Sequence, residues 1–224
     1  MNKILRVIVG LPAIALLALL LTGVPAVQAD EIVCTGTLGS ITVDDVRVPD
    51  NATCTLNGTR VEGTVKVERN ATLFANGARI DGNVQAEGAA RVNVGANSTV
   101  GGSIQVKQGG AAAIDRVAVY GDIQFESNTQ ALSATNNKVG GNVQAFQNAG
   151  GVNIANNTID GNLQCKANVP PPTGGNNIVR GSAEDQCANL QGTPPTPTPT
   201  PPPPTPTPQP PNLPFKSYLP FVKR

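Results

Sequence analysis

Seven glycines, Gly63, Gly82, Gly102, Gly121, Gly141, Gly161 and Gly181, recur at intervals of 19, 20, 19, 20, 20 and 20 residues. Each stands in one frame, with an apolar residue two places before it and alternating polar and apolar residues after it. The frame reads Val61-Glu-Gly-Thr-Val-Lys-Val at its first appearance, Val119-Tyr-Gly-Asp-Ile-Gln-Phe in the middle and Ile159-Asp-Gly-Asn-Leu-Gln-Cys near the end. A fixed period of this length marks a solenoid, whose repeats cannot bury an apolar face alone and therefore stack. Helical repeats need roughly 33 residues or more per unit, and this density of Gly, Asn and β-branched residues disfavours helix. The expectation is an all-β fold: a single-stranded parallel β-helix, or β-solenoid, of about 20 residues per coil, wound right-handed.

Within a repeat the residues after the glycine alternate in and out as a strand does. Val84 and Ala86, Ile104 and Val106, Ile123 and Phe125, and Val143 and Ala145 share one inward face. A second strand turns Val92 and Val94, Ala112 and Ile114, Leu132 and Ala134, and Val152 and Ile154 inward. A third, shorter stretch ends at Ile80, Val100, Val119, Val139 and Ile159, just ahead of each glycine. Three strands and three bends therefore close each coil.

Two polar series follow from this register. Gln85, Gln105, Gln124, Gln144 and Gln164 lie between inward positions and stack on the solvent side, where amides in register hydrogen-bond along the axis. Asn76, Asn97, Asn136, Asn156 and Asn176 occupy the bend five or six residues before the next glycine. Asn tolerates left-handed backbone, which suits a repeated corner. Geometry alone asks for both series, so they read as fasteners between coils; a flat polar binding face is the functional alternative.

The flanks differ from the body. Residues 1–29 read as a signal peptide, with Lys3 and Arg6, an apolar run from Val7 to Leu21, and a small-residue cleavage site ending at Ala29. The apolar run is short for a bilayer span, so the mature chain is expected to have no transmembrane segment. Residues 30–60 read as an N-terminal cap and first coils, with Ile41–Val43 and Val46–Val48 alternating as strands, and residues 61–190 as the regular solenoid. Residues 191–212 are a Pro/Thr-rich spacer that cannot build a core and would extend as polyproline II over roughly 60 Å. Residues 213–224 form a short apolar and basic motif in which Leu-Pro-Phe occurs twice.

Charge and composition exclude several functions. Beyond residue 29 there are 15 acids and 14 bases, and three of those bases are Lys216, Lys223 and Arg224, so the repeat body is slightly acidic. With no basic field and only 3% aromatic residues, nucleic acid is not an expected partner. The chain has no histidine, which removes an imidazole base. The carboxylates do not converge: Glu68, Glu87 and Glu126 share an outward position interrupted by Lys107, while Asp81, Asp115, Asp122 and Asp160 spread over different coils. No catalytic residue, cofactor site or metal site is assigned, since a site needs groups converging in a cleft.

Four cysteines in an exported chain read as two disulfides. Three pairings are possible, and the period selects among them. Cys34 and Cys54 are 20 residues apart, one coil, and Cys165 and Cys187 are 22 apart with Pro170–Gly175 inserted between them. One coil brings the Cys34 and Cys54 α-carbons within bridging range, and Cys165 and Cys187 fall in the last two coils, so the expected pairs are Cys34–Cys54 and Cys165–Cys187, one at each end.

The last coil, Gly161-Asn-Leu-Gln-Cys-Lys166 followed by Pro170-Pro-Pro-Thr-Gly-Gly175 and Glu184-Asp-Gln-Cys187, resembles a group of secreted bacterial β-helix proteins of unassigned activity. The short coils are also similar to those of bactofilins, from which the chain departs by its leader, its cysteines and its tail. The resemblance implies export and a β-helix and brings no catalytic residues. The reading is a non-catalytic, secreted or cell-surface module, structural or adhesive, whose partner is envelope polysaccharide or another copy of itself. The alternative is a β-helix that binds or cleaves carbohydrate.

Overall fold

The computed structural model describes residues 30–95 and 97–192. The expected leader with its cleavage point at Ala29, the Pro/Thr run from Thr193 and the motif at 213–224 lie outside the described residues. Within them, strands wind into three parallel sheets of nine, eight and eight members, which is the expected β-solenoid. One coil shows the plan: Ile104–Lys107 belongs to the first sheet, Ala111–Asp115 to the second and Ala118–Val119 to the third. The next coil lays Ile123–Glu126, Leu132–Thr135 and Lys138–Val139 on them in parallel, with Ile123 over Ile104, Leu132 over Ala112 and Lys138 over Ala118. The stretch read as a cap and first coils is wound into the same sheets. Glu31–Val33 pairs with Asp45–Val48, Thr37–Leu38 with Thr53–Asn57, and Thr42–Val43 with Arg60–Val61.

Alternation makes the core. In the first sheet Ile104, Val106, Ile123 and Phe125 are at most 1% exposed, while the Gln and charged residues between them face outward. Full burial of such a side chain contributes about 1.5–3 kcal/mol. Columns of the core balance volume from coil to coil. Phe125, the largest fully buried side chain, lies in register between Val106 and Ala145, and the small Ala145 leaves space for the ring.

The recurring glycine is set by room. A methyl group at Gly82 would collide with the Gly63 carbonyl, at Gly102 with the Asn83 side chain and at Gly141 with the Asp122 carboxylate. The close approach lets the glycine backbones bond directly: Gly82 N–H donates to the Gly63 carbonyl at 2.9 Å, Gly102 to Gly82 at 2.8 Å, Gly121 to Gly102 at 2.9 Å and Gly141 to Gly121 at 3.0 Å.

The corner between the second and third sheets needs left-handed backbone instead. Asn97, Asn136, Asn156 and Asn176 adopt it, with φ between +56° and +65°. Asn76 does not. It is the last residue of the strand Thr72–Asn76, and the corner is taken by Gly77 at φ +58°. The corner lies five residues before the next glycine in every one of these coils, and Asn76 lies six before Gly82. Arg116 fills the same corner between Asn97 and Asn136, with φ +56°.

Both ends are clipped. Cys34 is bonded to Cys54 with α-carbons 5.4 Å apart, and Cys165 to Cys187 with α-carbons 5.3 Å apart. At the C-terminal end a short 3-10 helix, Ala188–Leu190, tucks Leu190 into the core.

Candidate functional site

The outer face of the first sheet carries the glutamine series in strict register, Gln85 beside Gln105, then Gln124, Gln144 and Gln164, ending on Glu184. Its two halves behave differently. In the C-terminal half the amides are joined: Gln124 Nε2 donates to Gln144 Oε1 at 3.1 Å, Gln144 Nε2 to Gln164 Oε1 at 2.9 Å, and Gln164 Nε2 to Glu184 Oε2 at 2.9 Å. The carboxylate accepts only, so it terminates the run and fixes its direction. In the N-terminal half Gln85 and Gln105 make no side-chain hydrogen bond among the described residues, although their backbones are paired.

That open half coincides with a shallow groove of about 1040 Å³ whose lining includes Lys66, Gln85, Gln105 and Gln108. Its charged rim comprises Asp50, Glu68, Glu87, Arg69 and Lys107. The rim is largely self-compensated. Arg69 lies 3.7 Å from Asp50, Glu68 lies 3.6 Å from Arg47, and Lys107 lies 3.2 Å from Glu126. Lys66 and Glu87 have no ion pair among the described residues. The only apolar residues in the lining, Val67 and Ala86, point into the core at 1% and 3% exposure. The groove is mainly polar and its lining contains no aromatic side chain.

The other carboxylates are occupied in separate places. Arg79 at 2.8 Å, helped by Arg60 at 2.9 Å, holds the Asp81 carboxyl below the ordinary carboxylate range. Asn136 Nδ2, donating at 2.9 Å, and then Thr135 and Arg116, lower Asp115 in the same direction against the cost of partial burial. Asp160 pairs with Arg180 at 3.0 Å, and Asp122 accepts the Asn142 backbone N–H at 2.6 Å. Glu87, Lys107 and Glu126 are neighbours in register, so the interruption expected at Lys107 is where the structure places it. Among the described residues no group of three or more His, Cys, Asp or Glu side chains could hold a metal ion.

Sequence reasoning missed the polar groups that matter most to the fold, because they lie inside. Asn128, Asn148 and Asn168 are buried at the corner between the first and second sheets. Asn128 N–H and Nδ2 both donate to Asn148 Oδ1 at 3.0 Å, while Asn148 N–H and Nδ2 donate to Asn168 Oδ1 at 3.1 and 2.9 Å. Each amide also bonds the main chain one coil back, Asn148 Nδ2 to the Phe125 carbonyl at 3.0 Å for example. Asn137, Asn157 and Asn177 form a second buried ladder beside the left-handed corner, which closes on the Leu190 carbonyl at 2.9 Å. The readable signal was the doublets Asn136-Asn137, Asn156-Asn157 and Asn176-Asn177, of which only the first members entered the corner series.

A third ladder runs at the glycine corner with the opposite sense. There the later residue donates to the earlier one: Ser103 N–H to Asn83 Oδ1 at 2.9 Å, Asp122 N–H to Ser103 Oγ at 3.0 Å, and Asn162 N–H to Asn142 Oδ1 at 2.8 Å. From Asn128 onward every corner of the coil therefore carries a polar ladder that satisfies backbone donors, whereas Ala71, Ala89 and Gly109 stand at the first corner of earlier coils.

The fold and face together define a parallel β-solenoid with a polar, register-locked outer sheet. No protein-family model matches the chain, and neither a curated protein nor a solved structure matches it. Of the expected resemblance, the structure shows the stacked parallel coil. Among the described residues no helix is long and apolar enough to cross a membrane.

Proposed function

We propose that this chain is an exported, non-catalytic solenoid serving as a rigid structural or adhesive module at the cell surface. The observation that carries this reading is a solenoid clipped by a cystine at each end, with hydrogen-bonded ladders at all three corners of its later coils. Such bonding resists local opening of single coils, which otherwise limits linear repeat arrays. Asp50, Glu68 and Glu87 share the rim of one groove, where Asp50 faces Arg69 and Glu68 faces Arg47, and the remaining carboxylates are spread over separate coils. Two cystines favour an oxidising compartment, in keeping with the leader read from the sequence.

The test is fractionation of cells expressing the full chain and a version ending at Gln191, with thiol labelling and incubation of the purified protein with polyuronates. The expected result is protein outside the cytoplasm with all four cysteines unreactive and polymer length unchanged. Cytoplasmic protein with reactive thiols overturns export. Shortening of the polymer overturns the non-catalytic role. Release of the truncated form alone identifies the tail as the anchor, and equal release of both removes that role from it.

A further inference from the structure

We propose that the groove over Gln85 and Gln105 binds an uncharged, hydroxyl-rich polysaccharide strand. This rests on the adhesive form of the function above and supplies its ligand class and its site. The amide series is closed on itself from Gln124 to Glu184 and open at Gln85 and Gln105. Each open amide offers two donors and an acceptor, and successive amides stand one inter-strand spacing apart, about 4.8 Å. That is a short row of evenly spaced hydrogen-bonding groups on the floor of a groove.

The lining excludes other ligand classes. Its six charged side chains, Asp50, Lys66, Glu68, Arg69, Glu87 and Lys107, balance in sign, so neither a polyanion nor a polycation meets a matching field. Ordinary small-molecule pockets are mostly apolar, whereas the two apolar lining residues here are buried beneath the floor. A peptide added as a strand needs a sheet edge, and this groove lies on a sheet face, where the main-chain groups of Val84–Glu87 and Ile104–Lys107 are already paired. A chain of hydroxyl groups matches what remains: the two glutamine amides, with the Lys66 ammonium and Glu87 carboxylate beside them.

The experiment is affinity electrophoresis of the purified full chain with both cystines formed. The gels contain hydroxyethyl cellulose, laminarin, mannan or glycol chitin, with polygalacturonate as the charged comparison. At least one neutral polymer is expected to retard the protein. The double variant Gln85→Ala/Gln105→Ala should lose at least tenfold in affinity for it, and Gln85→Glu/Gln105→Glu, which keeps the side-chain shape and removes the amide donors, should lose as much. Gln144→Ala, in the closed half, should bind as the parent does. Retardation by none of the neutral polymers, retardation only by polygalacturonate, or an equal loss in Gln144→Ala overturns the proposal. A chain found oxidised at the cell surface that no neutral polymer retards leaves the module standing without this site. A chain that binds but remains in the cytoplasm keeps the site and sinks surface display.

Discussion

Gln186 closes the ladder that Asn168 would otherwise leave open. Its Oε1 accepts from the Asn168 backbone N–H at 2.8 Å and from Asn168 Nδ2 at 3.0 Å, and its Nε2 returns a hydrogen bond to the Asn168 carbonyl at 2.9 Å. One glutamine thus does at the last coil what the next asparagine does elsewhere, and it sits beside the bridged Cys187. Gln186→Ala should cost about 2 kcal/mol, the penalty for part-buried groups left without partners. Hydrogen exchange followed by mass spectrometry should show the loss confined to residues 163–191, because coils interact with their neighbours only. Equal acceleration in the first coils would count against this.

The inner and outer ladders should differ sharply in strength. Asn148→Ala strands the Asn128 N–H and one Asn128 amide proton in the interior, a loss of about 3 kcal/mol. Gln124→Ala removes one hydrogen bond from a half-buried outer amide, about 1 kcal/mol or less. Urea denaturation of the two variants separates them, and similar midpoints would refute the distinction.

Glycines at the two kinds of corner should respond differently. Gly121→Ala places a methyl group against Ser103 Oγ and the Gly102 backbone and should cost about 1–3 kcal/mol through overpacking. Gly77 has φ +58° and open space around its Cβ position, so Gly77→Asn should be close to neutral, as at Asn97. Melting temperatures of the two variants decide the matter, and a costly Gly77→Asn would show that the corner is more crowded than its geometry indicates.

Acid should weaken the Asp115 corner. The Asp115 carboxyl is held below the ordinary value of 3.8, first by Asn136 and then by Thr135 and Arg116. A depressed folded-state pKa contributes stability in full above the unfolded value and loses it as pH falls through the folded one. Asp115→Asn should therefore lower the melting temperature at about pH 7, and the difference should shrink as pH falls below the ordinary value of 3.8 toward the lowered one. A gap between parent and variant that persists or widens in acid would assign the effect to packing.

Much of this fold was legible because the solenoid writes the same constraints into each coil. Ile104, Ile123 and Val143 repeat because they occupy one inward column, and Gly102, Gly121 and Gly141 repeat because each leaves no room for a methyl group above its predecessor. The cysteine separation of 20 residues placed Cys34 beside Cys54 for the same reason. What escaped was polar and internal. Asn137 and Asn148 look like corner or surface residues in sequence, since burial of an amide is acceptable only when partners are supplied from another coil, and those partners lie 20 residues away. The placement of Asn76 failed on one residue of spacing, where Gly77 carried the left-handed turn. The groove was hidden because the series Gln85 to Gln164 is uniform in sequence, whereas its hydrogen bonding begins only at Gln124.

The opposed senses of the ladders mean different things for a chain that leaves the ribosome N-terminus first. At the glycine corner an arriving residue such as Asn162 finds its acceptor, Asn142, already laid down. At the other two corners the waiting runs the other way: the Asn128 and Asn137 backbone N–H groups acquire acceptors only when Asn148 and Asn157 have been made. Each nascent coil is thus both welcomed by the one before and needed by it, until Gln186 and Leu190 arrive to satisfy the last donors. A transcript cut short after an inner coil leaves interior donors facing water or a stray partner, so each new coil locks the one before it, and Gln186 and Leu190 lock the last.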